Sequence, residues 1–246
     1  MEQLVGGAVL RALERFVLPN ACVVCERHVD ERTPDELLCH LCRARLQGIV
    51  GGCPRCAQPL PPIGPCRFCA AWPTALRWVR SAVWFSDEAK EIVHHLKYEG
   101  YRALSHAVAD VIVRRVLRPG HGVLVPVPLG VRRLRARGYN QAGEIARALA
   151  ARWNLPLLEG LIRRTRDTKS QTALAPDERE RNVDHAFAAA RSERNGASEA
   201  QVILIDDVLT TGATLAAAAR ALESAGWHDV AAVTFARAVP FERRAV

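Results

Sequence analysis

The segment VILIDDVLTTGAT, residues 202–214, decides the fold of this chain. Four apolar, β-favouring residues run into Asp206 and Asp207, and a hydroxyl-rich turn and an Ala-rich stretch follow. This order predicts a strand over 201–206, a tight turn and a helix over 213–225. The backbone N–H groups of such a turn and the positive end of the helix attract an anion, whereas an ordinary capped helix is the simpler alternative. The length of the pattern favours a phosphate site.

The same segment resembles the phosphoribosyl-pyrophosphate (PRPP) loop of the type I phosphoribosyltransferases. The resemblance implies that Asp206 and Asp207 are the catalytic carboxylates and hold the ribose hydroxyls. It also implies that the turn wraps the 5′-phosphate of PRPP through Thr210, Thr211, Gly212, Ala213 and Thr214. Hydroxyl donors suit a phosphate, and a glycine removes the side chain where the backbone must approach the ligand closely.

Short apolar strands alternate with helical patterns after the last cysteine. Such alternation predicts an α/β domain with a mainly parallel sheet that helices cover on both faces. Further strands are expected at 77–85, 123–127, 161–162 and 229–237. Further helices are expected at 87–97, 103–118 and 139–153. Residues 129–138 are expected to form an Arg-rich loop.

A second anion site is expected because PRPP carries phosphates on both sides of its ribose. Ligands bind at the carboxyl ends of parallel strands, and a short loop follows one of them: Pro126, Val127 and Pro128. Backbone N–H groups near Val127 are expected to hold the leaving pyrophosphate. Four arginines follow the loop, and their planar guanidinium groups suit the same anion: Arg132, Arg133, Arg135 and Arg137. A solvated basic loop and a nucleic-acid patch are the alternatives.

Two further polar residues are weaker candidates for the PRPP site. Lys97 lies at the end of a predicted helix, where a lone lysine is usually a solvated cap. Gln171 belongs to the charged segment 165–181, together with Lys169 and Ser170. That segment is either a loop that closes over the reaction centre and excludes water or an exposed linker, and the sequence favours neither.

All eight cysteines lie before residue 70, in four Cys-x-x-Cys pairs. Two such pairs present four thiolates to one tetrahedral zinc ion, with Zn–S distances of about 2.3 Å. Sequential pairing is expected, with one ion on Cys22, Cys25, Cys39 and Cys42 and the other on Cys53, Cys56, Cys66 and Cys69. Interleaved pairing and iron in place of zinc are the alternatives. Two zinc ions saturated by thiolates are structural rather than catalytic.

Charge and hydropathy bound the class of protein. The 246 residues carry a net charge of +8, which favours phosphates, nucleotides or nucleic acid as ligands. No run reaches the roughly 20 apolar residues of a membrane-spanning helix, so no membrane insertion is expected. Apolar pairs at four-residue spacing predict an amphipathic helix over 1–19. Charged residues interrupt any signal-peptide core, so a cytoplasmic protein without disulfides is expected.

Further motifs make the chain similar to the ComF/GntX family of competence-associated proteins. They are His95-Leu96-Lys97-Tyr98, Val-Pro-Val-Pro at 125–128, Arg-x-Arg-Gly-Tyr-Asn-Gln-Ala at 135–142, Gln171-Thr172-x-Leu174, and Arg179-x-x-Asn182-Val183 with Phe187. Members usually carry phenylalanine where this chain has Tyr139. The resemblance implies a double zinc ribbon over 20–74 joined to a phosphoribosyltransferase domain over 75–246. It also implies a link to DNA uptake or to the use of DNA-derived nutrients.

Three functions are compatible with this resemblance. An enzyme would displace pyrophosphate from C1 of PRPP with a nitrogen nucleophile, and Mg²⁺ would bridge pyrophosphate and ribose oxygens. A regulator would bind PRPP or a nucleotide without turnover. A competence factor would grip single-stranded DNA with its zinc ribbons and arginines, or bind proteins of the competence machinery. The acceptor and the oligomeric state stay open.

Overall fold

The structure is a computed structural model, and it describes residues 21–29, 37–166, 186–191 and 200–238. The predicted helix at 1–19 lies outside these residues. So do Gln171 and most of segment 165–181. The predictions for these parts stay predictions.

Four parallel strands form the central sheet, in the order β1–β6–β5–β2. They are Leu76–Trp84 (β1), Val123–Pro126 (β2), Val202–Leu209 (β5) and Val230–Arg237 (β6). All eight residues of β6 are buried, because β6 has a neighbouring strand on each side and both faces of the sheet are covered. A purely parallel sheet brings all carboxyl ends to one edge, where ligands bind.

Helices cover both faces of the sheet. Within the described residues they are His40–Arg45 (α1), Asp87–Tyr98 (α2), Leu104–Arg115 (α3), Val131–Arg137 (α4), Gln141–Trp153 (α5) and Ala213–Ser224 (α6). On what we call the first face, α2, α3 and α5 pack against strand residues such as Ile203 and Ile205. On the second face, the Ala-rich α6 packs against Leu204 and Ala232. None of the helices in these ranges is both long and apolar enough to cross a bilayer.

A two-stranded antiparallel ribbon lies beside α6. Ile162–Arg164 (β3) pairs with Phe187–Ala189 (β4), and both strands contribute to the core of the second face. A strand near 161–162 was predicted, whereas β4 was not. Three residues are too few for hydrophobic alternation to identify a strand.

The predicted Arg-rich loop at 129–138 is wrong over most of its length, because Val131–Arg137 form the two-turn helix α4. Gly130 is its N-cap, and Gly138 ends it in the left-handed conformation with φ of 80°. Between these two glycines the sequence VRRLRAR holds mostly strong helix formers, so helix propensity prevails over the charge pattern. The four arginines therefore project from a helix.

Strand β5 also differs from its prediction. It continues to Leu209 instead of ending at 206, because Val208 and Leu209 pair with Ala236 and Arg237 of β6. The two aspartates consequently lie inside the strand. Helix α3 ends at Arg115, three residues earlier than predicted.

Candidate functional site

Asp206 and Asp207 lie near the carboxyl end of β5. Side chains alternate along a strand, so the two carboxylates point to opposite faces of the sheet. Each accepts a hydrogen bond from the next backbone N–H, that of Asp207 at 2.9 Å and that of Val208 at 2.7 Å. Asp207 is buried on the first face, where its Oδ2 lies 2.8 Å from Nζ of Lys97 in the last turn of α2. Lys97 therefore forms an ion pair with Asp207 and is not a solvated helix cap. We call Asp206 and Asp207 together the acid pair.

The electrostatics of the acid pair are asymmetric. Burial, and then the charge of Asp207, raise the pKa of Asp206 to about 7, although Lys97 and Arg164 act to lower it. Asp207 has the lysine as its direct partner. The raised pKa favours the protonated form of Asp206 in the ligand-free protein, relative to an ordinary aspartate. A ligand that donates hydroxyl groups to Asp206, or brings a cation, favours its ionised form.

The turn 210–212 connects β5 to α6. Gly212 is the N-cap of α6 with φ of 82°, a left-handed conformation that glycine adopts without strain. Thr211 Oγ1 accepts a hydrogen bond from the N–H of Ala213 at 3.3 Å. Thr210, Thr211 and Thr214 are all partly accessible. The 12-residue helix α6 begins at Ala213, so the positive N-terminal end of its dipole lies at this hydroxyl-rich turn.

The second predicted loop lies at the same edge of the sheet, because β2 and β5 are neighbours and Pro126 pairs with Ile205. Its hydrogen bonding removes the N–H of Val127 itself from the backbone donors that were expected near this residue. The N–H of Val127 donates to the carbonyl of Ile205 at 2.9 Å, and the carbonyl of Val127 accepts from Nδ2 of Asn140 at 3.0 Å. Val127 therefore has no backbone donor left for a pyrophosphate. Pro126 and Pro128 have no N–H at all.

Among the arginines of α4, Arg137 has the clearest relation to the acid pair. Burial lowers its pKa, and the charge of Asp207 opposes that shift. Its guanidinium donates to the side-chain oxygen of Gln141 and lies 5.4 Å from the ring centroid of Tyr98. Arg132 and Arg135 are exposed, and Arg133 is half-buried.

Two of the sequence motifs meet beside the acid pair. The hydroxyl of Tyr139, just before α5, donates to the carbonyl of Leu96 in α2 at 2.5 Å. The guanidinium of Arg102 lies 4.6 Å from the ring centroid of Tyr139 and donates to the carbonyl of Gly138 at 2.7 Å. The motifs at 95–98 and 135–142 therefore form one contact region, and Lys97 extends from it to Asp207.

The cysteines form two groups, and in each group the four sulfur atoms lie within 4.8 Å of one another. The first cluster is Cys22, Cys25, Cys39 and Cys42, and the second cluster is Cys53, Cys56, Cys66 and Cys69. This is the sequential pairing that was predicted. All eight thiols are free, with Sγ–Sγ distances of 3.7 Å for Cys25–Cys39 and for Cys53–Cys69. Tetrahedral zinc with bonds of about 2.3 Å separates its sulfur ligands by about 3.8 Å, so both clusters fit one zinc ion each.

Hydrogen bonds to sulfur support the same conclusion. The N–H groups of Cys39 and Cys42 approach Cys22 Sγ and Cys39 Sγ at 3.4 Å each. In the second cluster burial acts to raise the pKa of Cys53, but backbone N–H groups of Cys56 and Arg55 lower it to about 7. Such N–H···S bonds stabilise thiolates, the form that binds metal.

Three residues near the site were missed by the sequence reasoning. Trp72 packs against Gly212, Arg164 acts electrostatically on Asp206, and Arg237 joins the end of β6 to the second cluster. Only Arg237 had a signal, since an arginine that ends an otherwise apolar strand is unusual. The other two contacts depend on tertiary packing.

Comparisons with known proteins agree with this architecture. The model of the family described as Phosphoribosyl transferase domain matches residues 134–243. Competence protein ComFC of Bacillus subtilis is 34% identical over 203 residues, which cover 78% of this chain and 80% of the relative. DNA utilization protein YhgH of Salmonella typhimurium is 29% identical over 219 residues, covering 84% of this chain and 92% of the relative.

Among solved structures, adenine phosphoribosyltransferase of Leishmania tarentolae is similar to 61% of this chain, and the match covers 74% of that enzyme. The sequence identity is 15% and the TM-score is 0.33. With a TM-score this low, the fold rests on the family match and on the parallel strand order.

Proposed function

Because this chain belongs to the ComF/GntX family of competence-associated proteins, we propose that it binds PRPP with Mg²⁺ and transfers ribose 5-phosphate to a nitrogen acceptor. Asp206 and Asp207 would hold the ribose hydroxyls, and the turn from Thr210 to Thr214 would hold the 5′-phosphate. The proposed setting is DNA uptake or the use of DNA-derived nutrients, as the names of the relatives indicate.

One observation carries the proposal. The acid pair lies inside β5, and only Val208 and Leu209 separate it from a hydroxyl-rich turn and the N-terminus of a 12-residue helix, at the carboxyl edge of a parallel sheet. A sugar phosphate has hydroxyl donors next to an anion. This edge of the sheet has carboxylate acceptors for the hydroxyls next to N–H and hydroxyl donors for the anion. The two patterns are complementary over one ribose.

On the pyrophosphate side, we keep the expected arginines and leave out the N–H of Val127. The N–H of Val127 already donates to the carbonyl of Ile205. Cationic side chains are therefore the better candidates to bind the pyrophosphate. We propose Arg137 and Lys97 for this role, because both act on Asp207. Arg132, Arg133, Arg135 and Gln171 stay candidates for contacts with the same anion.

The acid pair also suits Mg²⁺, which prefers carboxylate and phosphate oxygens and keeps several waters. We propose Asp206 for this ion, because Asp207 already has Lys97 as its partner and because burial and the charge of Asp207 raise the pKa of Asp206. The ion would neutralise the pyrophosphate and make it a better leaving group.

In the proposed reaction the C1–O bond to pyrophosphate breaks, and the electron pair leaves with pyrophosphate. The lone pair of the acceptor nitrogen then forms the C1–N bond, and the nitrogen loses a proton to water or to Asp206. The carboxylates next to the ribose stabilise the positive charge that develops at C1. This chain supplies orientation and charge, and no residue has to act as a covalent nucleophile.

The test is a calorimetric titration of zinc-loaded protein with PRPP and Mg²⁺, beside the Asp206→Ala/Asp207→Ala variant. We expect binding by the wild type and a loss of at least about a hundredfold in the variant, because two ribose acceptors and the cation site are removed. Asp110→Ala, which removes the partner of Arg152 away from the sheet edge, is the matched control. Folded wild-type protein that binds no PRPP contradicts the proposal, and pyrophosphate release with a candidate base separates an enzyme from a regulator.

A second candidate function, handling of single-stranded DNA, is favoured by one surface feature. The ring of Tyr98 is 64% exposed, with His94 at 5.1 Å and the guanidinium of Arg137 at 5.4 Å. An aromatic ring beside a guanidinium is an arrangement on which bases stack. Such binding is expected to weaken steeply with salt, and to weaken further in Tyr98→Ala. Absence of single-strand binding at low salt eliminates this candidate.

A further inference from the structure

Trp72 packs directly on the turn that is proposed to bind the 5′-phosphate. A Cβ added to Gly212 would lie 2.5 Å from Cζ2 and 2.8 Å from Cε2 of the Trp72 ring. These distances are far below a normal contact, so the indole lies flush against the backbone of the turn. Trp72 itself is buried, and it follows the last ligand of the second cluster, Cys69, by three residues.

The second cluster holds Trp72 in place from within its own knuckles. Arg55 lies between Cys53 and Cys56, and its guanidinium donates to the carbonyls of Cys69 at 3.0 Å, Trp72 at 3.3 Å and Pro73 at 2.6 Å. One rigid guanidinium therefore binds three carbonyls around the tryptophan.

Phe68 supplies the side-chain support. It lies between Cys66 and Cys69, and its ring meets the Trp72 ring edge to face at 5.6 Å. The guanidinium of Arg237 lies 4.4 Å from the centroid of Phe68 and donates to the carbonyl of Cys56 and, at 2.6 Å, to Oε1 of Gln58. Because Arg237 pairs with Leu209 at the end of β5, this contact joins the cluster to the strand that leads into the turn.

We infer that Trp72 is a positioning residue for the turn 210–212, and that the second cluster is the support that keeps Trp72 against Gly212. The indole closes one side of the turn, so the N–H and hydroxyl donors keep the arrangement that an anion needs. The inference rests on the proposed function only in naming PRPP as that ligand. The ordering of the turn by Trp72 is a property of the ligand-free protein.

The first cluster lacks this connection in the part of the chain that the structure describes. Cys22, Cys39 and Cys42 belong to the core of the first face, whereas Cys53, Cys56 and Cys69 share a core with Trp72 and the start of α6. Loss of metal from the second cluster should therefore loosen the turn, and loss from the first should not. Metal occupancy of the second cluster would then set the affinity for the 5′-phosphate.

The test measures backbone amide exchange of the segment 209–215 in zinc-loaded, ligand-free protein, together with PRPP affinity. We expect Trp72→Ala to speed exchange in this segment about tenfold or more and to weaken PRPP binding by a similar factor. Trp72→Phe, which keeps a flat ring, should stay within about threefold of the wild type on both measures. Trp78→Ala removes a half-buried tryptophan from the first face and should leave the segment unchanged.

The outcomes separate this inference from the proposed function. Faster exchange in Trp72→Ala with no PRPP binding by the wild type supports the inference and contradicts the function. Normal PRPP binding with unchanged exchange in a folded, zinc-loaded Trp72→Ala overturns the inference alone. If Trp72→Ala does not fold, Trp72→Leu fills the space without a flat ring and is expected to show the same loosening. Exchange as slow as that of the wild type in Trp72→Leu also overturns the inference.

Discussion

The two cysteine clusters have the same ligands and nearly the same sulfur spacing, but they are attached to different parts of the molecule. The first cluster packs into the core formed by α2, α3 and α5, and its segment reaches the sheet through Gln47, whose carbonyl accepts from the N–H of Trp84 at 2.9 Å. The second cluster packs into the core of α6 and, through Trp72, reaches Gly212. Two clusters with the same ligand set are therefore connected to different parts of the candidate site.

We therefore expect a structural metal site to affect ligand binding when the segment that holds it also contacts the binding turn. The first cluster stabilises a face whose link to the acid pair runs through Lys97, inside α2. The second is connected to the turn 210–212 through Trp72, which packs against Gly212. The two faces meet at the acid pair, since Asp207 points towards Lys97 and Asp206 points away from it.

The largest expected effect comes from removing one cluster at a time. Cys53→Ser/Cys56→Ser and Cys22→Ser/Cys25→Ser should each lower the zinc content by about one ion per chain and cost several kcal/mol of folding free energy. Only the second-cluster variant should lose PRPP affinity, by about tenfold or more, in the protein that remains folded. Metal analysis, thermal unfolding and calorimetry measure the three quantities. Equal loss of affinity in both variants contradicts the asymmetry.

A glycine pair tests the same contact with a smaller change. Gly212 and Gly138 have nearly the same φ, 82° and 80°, so an alanine at either costs about 1–2 kcal/mol in backbone strain. At Gly212 the new Cβ also meets Trp72 at 2.5 Å, whereas at Gly138 the nearest atom, Nη2 of Arg102, is 3.7 Å away. Gly212→Ala should therefore lower the free energy of unfolding by about 2 kcal/mol more than Gly138→Ala. Denaturant unfolding measures both values.

A double variant decides whether the extra cost belongs to the indole. In Trp72→Ala the space beside Gly212 is open, so adding Gly212→Ala there should cost only the backbone strain. An extra cost that persists without the indole assigns it to another neighbour of Gly212.

The sequence predicted the parts of the site that are local. Val202 to Ile205 form a continuous apolar run, and the acid pair and the threonine turn follow within nine residues. The strand, the turn and the helix could therefore be predicted from this local order of residues. The same holds for the cysteine pairs. In contrast, α4 was predicted as a loop, because we gave its run of arginines more weight than the helix propensity of its residues.

Long-range contacts had no local signal. Trp72 and Gly212 are far apart in the chain, as are Cys56 and Arg237, and no periodicity connects them. The role of Lys97 was also underestimated, because a lysine at a helix end is usually solvated and only the packing of α2 brings it to Asp207. The interactions that join the two cysteine clusters to the sheet therefore could not be predicted from the sequence and became visible only in the structure.

The acid pair should give the PRPP affinity a pH dependence that comes from the Asp206 side. Its pKa, about 7, is raised above the ordinary aspartate value, so the proton favours the folded, ligand-free protein. That stabilisation is fully present below about pH 4 and is lost as the pH rises towards 7. In the proposed function PRPP with Mg²⁺ binds the ionised form, so its affinity is expected to rise about tenfold between pH 6 and pH 8.

Matched variants isolate this effect from the titration of PRPP itself. Asp206→Asn removes the titrating group, so its affinity should follow only the ionisation of the ligand. Asp207→Asn leaves Lys97 without its partner but keeps Asp206, whose pKa should fall because the neighbouring charge is gone. Calorimetry in buffers of different ionisation enthalpy counts the protons released. Equal pH profiles for the wild type and Asp206→Asn contradict the assignment.

The smallest expected effect concerns Tyr139, on the first face. Its hydroxyl donates to the carbonyl of Leu96, one of the last carbonyls of α2, which lack partners within the helix. Tyr139→Phe should therefore cost about 1 kcal/mol of folding free energy, the usual value of one buried hydrogen bond, and change PRPP affinity less than about twofold. The aromatic ring of phenylalanine keeps the contact with Arg102. Tyr98→Phe, at an exposed ring, is the matched control for stability and should cost nothing measurable. A large loss of PRPP affinity in Tyr139→Phe would mean that the first face controls the site as strongly as the second, because Leu96 precedes Lys97 in the turn that reaches Asp207.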